Sequence, residues 1–440
     1  MSTTKSAPAE NALLASQAQL SVGDYASNYF RRVRAGDLGA LPIVVGLVII
    51  ATIFQTQNEN FLTARNFVNL IVQMAGITTI AIGLVYVLLL GEIDLSVGYV
   101  SAVAGVTMTL LLKGGLHPLS FVIWILGLFG IDPATLESLN FQLPPLPWFG
   151  AIPLALLVAA LIGILHGSII TRFQLPAFIV TLAGLLAWNG VVLILVGEGG
   201  TIVLQDKVAI GIANTYLPAV WGWIVTALMV LLYALAQFAQ IRTRRRSNLA
   251  HTPIFLVLLQ VLFLAVVAAA AVYITTQDRG VPVIGLILII LLAGFTYLAT
   301  STRFGRYVYA VGGNREAARR AGIQVDRIRV YVFMISSLMA GCGGLILAAR
   351  LRSVATDAGG GNLVLNSIAA AVIGGTSLFG GSGRVVSALL GALVVASVEN
   401  GMGLLGLSSG VKFIITGLVL LVAVLVDAIS RRGRAQSGIA

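Results

Sequence analysis

The sequence predicts an all-α membrane protein: a polytopic transmembrane helical bundle of about 10–12 spans, with broken or re-entrant segments and both termini in the cytoplasm. Three observations carry that expectation. Apolar residues recur in runs long enough to cross a bilayer, divided by short polar breaks. Hydrophobic residues make up 58% of the chain and charged ones only 10%, where an ordinary soluble domain carries roughly 25% charged. The basic residues gather at the ends of alternate runs, as cytoplasmic loops do.

Residues 1–40 are mostly small and polar and end in Arg31, Arg32 and Arg34. They read as a cytoplasmic N-terminal arm, and the first apolar run begins near Leu41, too late for a cleavable secretory leader. The transmembrane domain is assigned to 41–430. A crossing needs about 20 mostly apolar residues. On that scale spans fall near 41–56, 67–90, 95–112, 150–171, 176–196, 219–240, 254–274, 283–301, 329–349, 384–401 and 411–428. A shorter segment, 366–376, must cross at least part of the bilayer for the count to be consistent.

Orientation follows from arginine placement. With the N-terminus inside, Arg172, the cluster Arg242, Arg244, Arg245 and Arg246, the arginines from Arg303 to Arg329, and Arg431, Arg432 and Arg434 of the 431–440 tail are all cytoplasmic. The opposite orientation exports most of the 27 basic residues. On the outer side, the loop 113–149 holds an apolar stretch, Leu119 to Phe129, short for a span and read as interfacial or re-entrant. The loop 197–218, with Glu198, Asp206 and Lys207, lies on that same side.

Several function classes drop out. The net charge of +11 sits in clusters at span ends without aromatic interleaving, so nucleic acid is not the expected partner; membrane lipid is. Cys342 is the sole cysteine and lies in an apolar run, and His117, His166 and His251 have no metal-ligand spacing. No GxxxxGK[ST] loop occurs, so the chain binds no ATP by that route. An integral-membrane enzyme would need a metal cluster or nucleophile constellation, and none is apparent.

Two glycine-interrupted breaks stand in comparable surroundings. The first, Gly91 to Gly98, contains Glu92, Asp94 and Ser96; the second, Gly374 to Gly383, contains Thr376 and Ser377. An acidic group at a helix centre costs about 2.5–3.5 kcal/mol, so Glu92 and Asp94 belong at a membrane face, in a watery cavity or at a break that supplies partners. Paired breaks in the two halves point to a translocation site, while cytoplasmic turns between helical hairpins are the plainer reading. Asp94 also suits a cap on a helix starting at Leu95. Within spans, Trp188 and Asn189 offer stacking and hydrogen bonding to a sugar, although core packing of the tryptophan is the commoner arrangement. His166, Glu399 and Asn400 are the other intramembrane polar groups. An interhelical hydrogen bond or an interfacial position explains them as well as a pathway or proton relay does.

The charged loop 302–329 is the most distinctive stretch. Asn314 is placed to cap a short helix, Glu316 complements its dipole, Ala317, Ala318, Arg319 and Arg320 follow, and Gly322 is placed to end it. Such a helix outside the bilayer can be pushed by a soluble partner.

These residues resemble the EAA loop of ATP-binding-cassette importer permeases. Gly91 to Gly98, Leu175 to Gly184, Gly312 to Gly322, Ile368 to Gly383 and Asn400-Gly401-Met402 together are similar to the monosaccharide branch of ribose, galactose and xylose permeases. The extra apolar pair 219–274 around Arg242 to Arg246 looks like the xylose branch or the related multiple-sugar type. The resemblance implies transport of xylose or a similar aldose by a homodimeric permease in the bacterial inner membrane. It implies a periplasmic sugar-binding protein and a cytoplasmic ATPase subunit that carries the ATP and Mg, with no cofactor on this chain. Asn314, Glu316, Ala317, Ala318, Arg319, Arg320 and Gly322 would form the coupling helix, with Arg319 and Arg320 facing carboxylates of the ATPase. The competing expectation is a proton-coupled secondary transporter using Glu92, Asp94 or Glu399.

Overall fold

The computed structural model describes residues 41–114, 142–197, 200–247 and 253–419, with 421 and 425. The 1–40 arm, Leu119 to Phe129, His117, Glu198, His251 and the 431–440 tail lie outside the described residues. In chain order the helices are α1 (Leu41–Gln57), α2 (Ala64–Leu89), α3 (Val97–Lys113), α4 (Trp148–Arg172), α5 (Ala177–Val196), α6 (Lys207–Asn214), α7 (Ala219–Arg246), α8 (Ile254–Thr276), α9 (Val283–Ser301), α10 (Arg303–Gly313), α11 (Arg315–Arg320), α12 (Val325–Leu351), α13 (Leu363–Ile373), α14 (Ser387–Leu404) and α15 (Ser409–Val419).

Eight of these helices are long and apolar enough to cross a membrane: α2, α4, α5, α7, α8, α9, α12 and α14. Four shorter apolar helices, α1, α3, α13 and α15, complete the set read from the sequence. Boundaries move where a span edge and a helix edge obey different physics. Helix α7 runs on through Arg242 to Arg246, because arginine ends an apolar run but is a good helix former. Helix α13 starts at Leu363 and stops before Gly374 and Gly375, the latter at φ +95°. Its 11 residues extend about 17 Å, roughly half of a hydrocarbon core. Two short helices were not foreseen: α6, whose Asp206 cap accepts from the amides of Val208 and Ala209, and α10 in the charged loop.

The chain divides into two compact units. Residues 216–281 form one, around the pair α7 and α8; residues 40–215 and 282–428 form the other. In the smaller unit the Arg279 guanidinium lies 4.7 Å from the Tyr216 ring centroid and pairs with Asp278 at 2.8 Å. Both α7 and α8 are apolar around most of their circumference yet largely exposed, as helices that face lipid are.

In the larger unit α2 and α12 are the central helices, with 89% and 78% of their apolar windows buried. Glycine and serine let them approach. A Cβ on Gly83 would meet Met339 and the Ser336 backbone, and one on Gly344 would strike the Ser101 carbonyl of α3. Small residues take this role where lipid removes the hydrophobic drive between helices. At one end of the unit, strand β1 (Thr201–Val203) pairs antiparallel with β2 (Ser353–Ala355), in the register Ile202 opposite Val354. The charged loop with α10 and α11 occupies the opposite end, where α2 and α9 finish and α12 begins.

Candidate coupling and translocation sites

Helix α11 is built by its caps. Asn314, extended at φ −156°, accepts from the amide of Ala317 at 2.9 Å. At the other end Ile323 N–H donates to Ala318 O and Gly322 N–H to Arg319 O, with Gly322 at φ +83°. This paired 6→1 and 5→2 pattern satisfies the last carbonyls and needs a left-handed residue at Gly322. Ala318 alone of the helix is buried; Glu316, Ala317, Arg319 and Arg320 are exposed. Glu316 pairs with Arg320 at 3.2 Å and with Arg319 at 3.8 Å. Such exposed pairs are weak enough to exchange for carboxylates of a partner.

Below α11 the backbone interlocks. A Cβ on Gly312 would collide with the Leu89 carbonyl at the end of α2, and one on Gly91 would press on the Phe379 carbonyl. Gly381 N–H donates to Leu89 O at 2.9 Å, and Tyr309 Oη donates to Gly383 O at 2.8 Å. Burial pushes the Tyr309 phenol up from its ordinary range, against the opposing pull of Arg384, so the donor keeps its proton. The two glycine breaks and α10 therefore meet in one place.

Glu92 closes the assembly. Its side chain is 6% exposed, and Oε1 accepts from Arg315 Nη2 of α11 at 2.6 Å. Arg329 Nε of α12 lies 2.7 Å from the same oxygen, an ion pair without aligned hydrogen-bond geometry. One carboxylate thus ties the exposed helix, the first break and a central span together. A buried charge needs such partners, since desolvation would otherwise dominate.

Two residues on, Asp94 is fully buried and belongs to a different network. Its Oδ1 accepts from Ser96 N–H at 3.0 Å and Ser96 Oγ at 2.6 Å, and its Oδ2 from Ser336 Oγ of α12 at 2.8 Å. Helix α3 begins at Val97 rather than Leu95, so Asp94 forms a local turn with Ser96 instead of capping the helix. Ser96 Oγ lies 3.3 Å from His166 Nδ1, and Trp188 Nε1–H donates to His166 Nε2 at 3.1 Å. The indole has no acceptor, so Nε2 accepts, and a neutral ring carries its proton on Nδ1 toward Ser96. Gly184, one turn before Trp188, leaves room for the imidazole. Asn189 is half-buried beside Trp188.

Thr376 and Ser377 are buried in the second break, where Ser377 Oγ accepts from Phe379 N–H at 3.1 Å. Asn400 belongs to the far end. Asn66 and Asn400 exchange amide hydrogen bonds at 2.8 and 3.0 Å, and Asn400 also donates to Gln73 Oε1 at 3.3 Å. Beside them Asn366 Nδ2 donates to Glu399 Oε1 at 2.5 Å, and Gln73 and Glu399 border a cleft of about 280 Å³.

The pathway candidates singled out by sequence thus separate into three groups: Glu92 under α11 with Thr376 and Ser377 of the adjoining second break, Asp94 with Ser96, Trp188 and Asn189 along the helix packing, and Asn400 at the opposite end. Sequence reasoning missed the partners Arg315, Arg329 and Ser336, because loop arginines read as topology signals and a serine in a span reads as filler. Asn66, Gln73 and Asn366 carried a usable signal as amides inside or beside apolar runs.

A bundle of apolar spans with buried polar breaks and a short exposed helix at one end defines a class, the multi-pass transport proteins of the membrane. Among described residues no three potential ligands gather to hold a metal. The chain belongs to the family described as branched-chain amino acid transport system / permease component, whose profile matches residues 66–424. It is 34% identical over 413 residues to the xylose transport system permease protein XylH of Escherichia coli K12, covering 92% of this chain and 96% of that one. The XylH protein of Haemophilus influenzae is 32% identical over 91% of this chain and 99% of its own. The ribose import permease protein RbsC of Escherichia coli K12 is 29% identical over 87% of this chain and 92% of its own. No solved structure matches the chain.

Proposed function

We propose that this chain is the membrane-spanning subunit of an ATP-driven importer of xylose or a similar aldose in the bacterial inner membrane. The observation that carries the reading is the likeness to XylH over 92% of this chain and 96% of that protein. Two copies form the pathway, a periplasmic binding protein delivers the sugar, and a cytoplasmic ATPase subunit binds ATP and Mg. Both termini and the 302–329 loop face the cytoplasm, in keeping with their arginines.

In this reading α11 is the coupling helix. Its exposed face, Glu316, Ala317, Arg319 and Arg320, sits in a groove of the ATPase, and Asn314 and Gly322 hold its length and direction. Arg315 pulls on Glu92, and Glu92 pulls on the first break and on α12 through Arg329. Closure of the ATPase pair reaches the bundle by that route as a rigid displacement. Asp94, Ser96, Thr376 and Ser377 move with the breaks, and Trp188, next to Asn189 on α5, joins the first of them through His166 and Ser96.

Membrane vesicles holding the chain with its ATPase and binding protein should take up labelled xylose only with ATP, and not when the ATPase is left out. A second reading has one observation in its favour: Asp94, Ser96 and His166 form a buried chain of groups able to carry a proton. Uptake driven by a pH gradient in ATPase-free vesicles would establish that reading and defeat the first.

A further inference from the structure

The cleft at the end of the bundle away from α11 plays no part in holding that helix. Gln73, Asn362, Glu399, Ser409 and Lys412 line it together with Phe413. It reaches into the membrane. Gln73 is nine residues into α2, about 14 Å from its start, and Glu399 lies about 8 Å before the end of α14. Polar and ionised groups at such depth are costly, and those that persist mark solute paths or paired structural networks.

The two alternatives differ in how the polar atoms are used. A structural network closes on itself, as Asp94 does with three donors. The cleft network does not close. Among the described residues Glu399, which lines the cleft, has one hydrogen-bond donor, Asn366 Nδ2 on its Oε1, and its Oε2 accepts none. Carboxylate, amide, hydroxyl and ammonium groups therefore border a cavity of about 280 Å³, far above the 10–15 Å³ that admits one water.

The set of groups fits one ligand chemistry. Carboxylate and amide oxygens accept from adjacent hydroxyls, amide and ammonium N–H groups donate to them, and the Phe413 ring offers a flat apolar face to ring C–H groups. Glu399 and Lys412 put opposite charges on the cleft wall, and Arg350 acts on Glu399 as well; an uncharged solute brings no charge of its own that would have to be desolvated or paired there. We propose that this cleft is a binding site for a neutral monosaccharide of pentose size on its way through the protein. The inference rests on the importer reading above and adds to it the place and the groups that hold the sugar.

The test uses the chain assembled with its ATPase and binding protein in lipid vesicles. Cys342→Ala gives a cysteine-free parent, since Cys342 is the only cysteine, and ATP-driven uptake of labelled xylose is measured on that parent. Ser409→Cys, an exposed position on the cleft, is then alkylated with a maleimide without nucleotide. Excess xylose should slow alkylation at least five-fold, sucrose should leave the rate unchanged, and adding Glu399→Gln should remove most of the protection. Equal rates with and without xylose in a parent that transports it would overturn the site and leave the importer reading standing. Equal slowing by sucrose would show a nonspecific effect and overturn the site as well. A parent that takes up no pentose or hexose with ATP would sink the importer reading and the site with it. The labelling arm alters only an exposed serine, so a folding defect in Glu399→Gln does not spoil it.

Discussion

Arg315 of the exposed helix and Glu92 of the first break lie 223 positions apart in sequence, yet Nη2 stands 2.6 Å from Oε1. The two ends of this pair live in different surroundings: Arg315 is 44% exposed, Glu92 only 6%. The consequences of removing each end therefore differ. Arg315→Gln releases a group that water already reaches, so stability should fall by no more than about 1 kcal/mol, while sugar moved per ATP hydrolysed should drop several-fold. Glu92→Gln leaves Arg329 buried without its countercharge and should cost about 3–5 kcal/mol. Thermal unfolding in detergent and the transport-to-hydrolysis ratio read the two effects separately. Normal coupling in Arg315→Gln would remove the pair from the transmission route.

The two alanines of α11 should respond in opposite ways. Ala317 is exposed and Ala318 is 4% exposed. Ala317→Phe should leave unfolding unchanged and abolish co-purification with the ATPase. Ala318→Phe should overpack the seat of the helix and destabilise the chain by about 1–3 kcal/mol. If Ala317→Phe still retains the ATPase, the exposed face is not the docking face.

Glycine substitutions test the interlock beneath the helix. Gly322→Ala places a Cβ in the left-handed region and should cost about 1–2 kcal/mol, fraying the end of α11. Gly312→Ala is helical and unstrained in φ, yet its Cβ would meet the Leu89 carbonyl, so it should cost more than Gly322→Ala. Unfolding measurements that reverse this order would mean that the contact between α10 and the end of α2 is looser than the structure has it.

Asp94→Asn keeps the shape of a buried acceptor but exchanges one oxygen for an N–H donor. Ser96 and Ser336 both donate to the carboxylate, so one hydroxyl must turn round to accept. A loss of about 1–3 kcal/mol is expected, with the Ser96 link to His166 and Trp188 disturbed. Tryptophan fluorescence in a variant that keeps Trp188 alone should shift with Asp94→Asn; an unchanged spectrum would mean that the relay through Ser96 and His166 does not hold the indole.

Orientation has its own check. Ala321 is exposed just past α11, and Ala321→Cys in the Cys342→Ala chain should react with an impermeant maleimide in inside-out vesicles only. Labelling of intact right-side-out vesicles would place the helix outside and end the importer reading.

Much of the fold is written in the linear order of the chain. Apolar runs gave the twelve segments, because a bilayer demands about 20 apolar residues per crossing whatever the neighbours are. The caps of α11 were legible too, since Asn314 and Gly322 act on backbone groups within a few residues of themselves. Helix ends that depend on propensity rather than hydropathy, such as the last turns of α7, drifted from the apolar boundary. The short helices α6 and α10 escaped because neither is long enough to leave a span signal.

What is local or periodic can thus be read along the chain: an all-helical membrane protein, its breaks, and a capped helix between charged residues. The partners come from packing: Glu92 meets Arg315 and Arg329, Asp94 turns instead to Ser336 and Ser96, and Asn400 joins Asn66 and Gln73 at the far end. The reason is that hydropathy and capping act over a few residues or one span. A buried charge is satisfied by whichever distant group the helix packing brings within about 3 Å, and nothing in the chain's linear order records that distance.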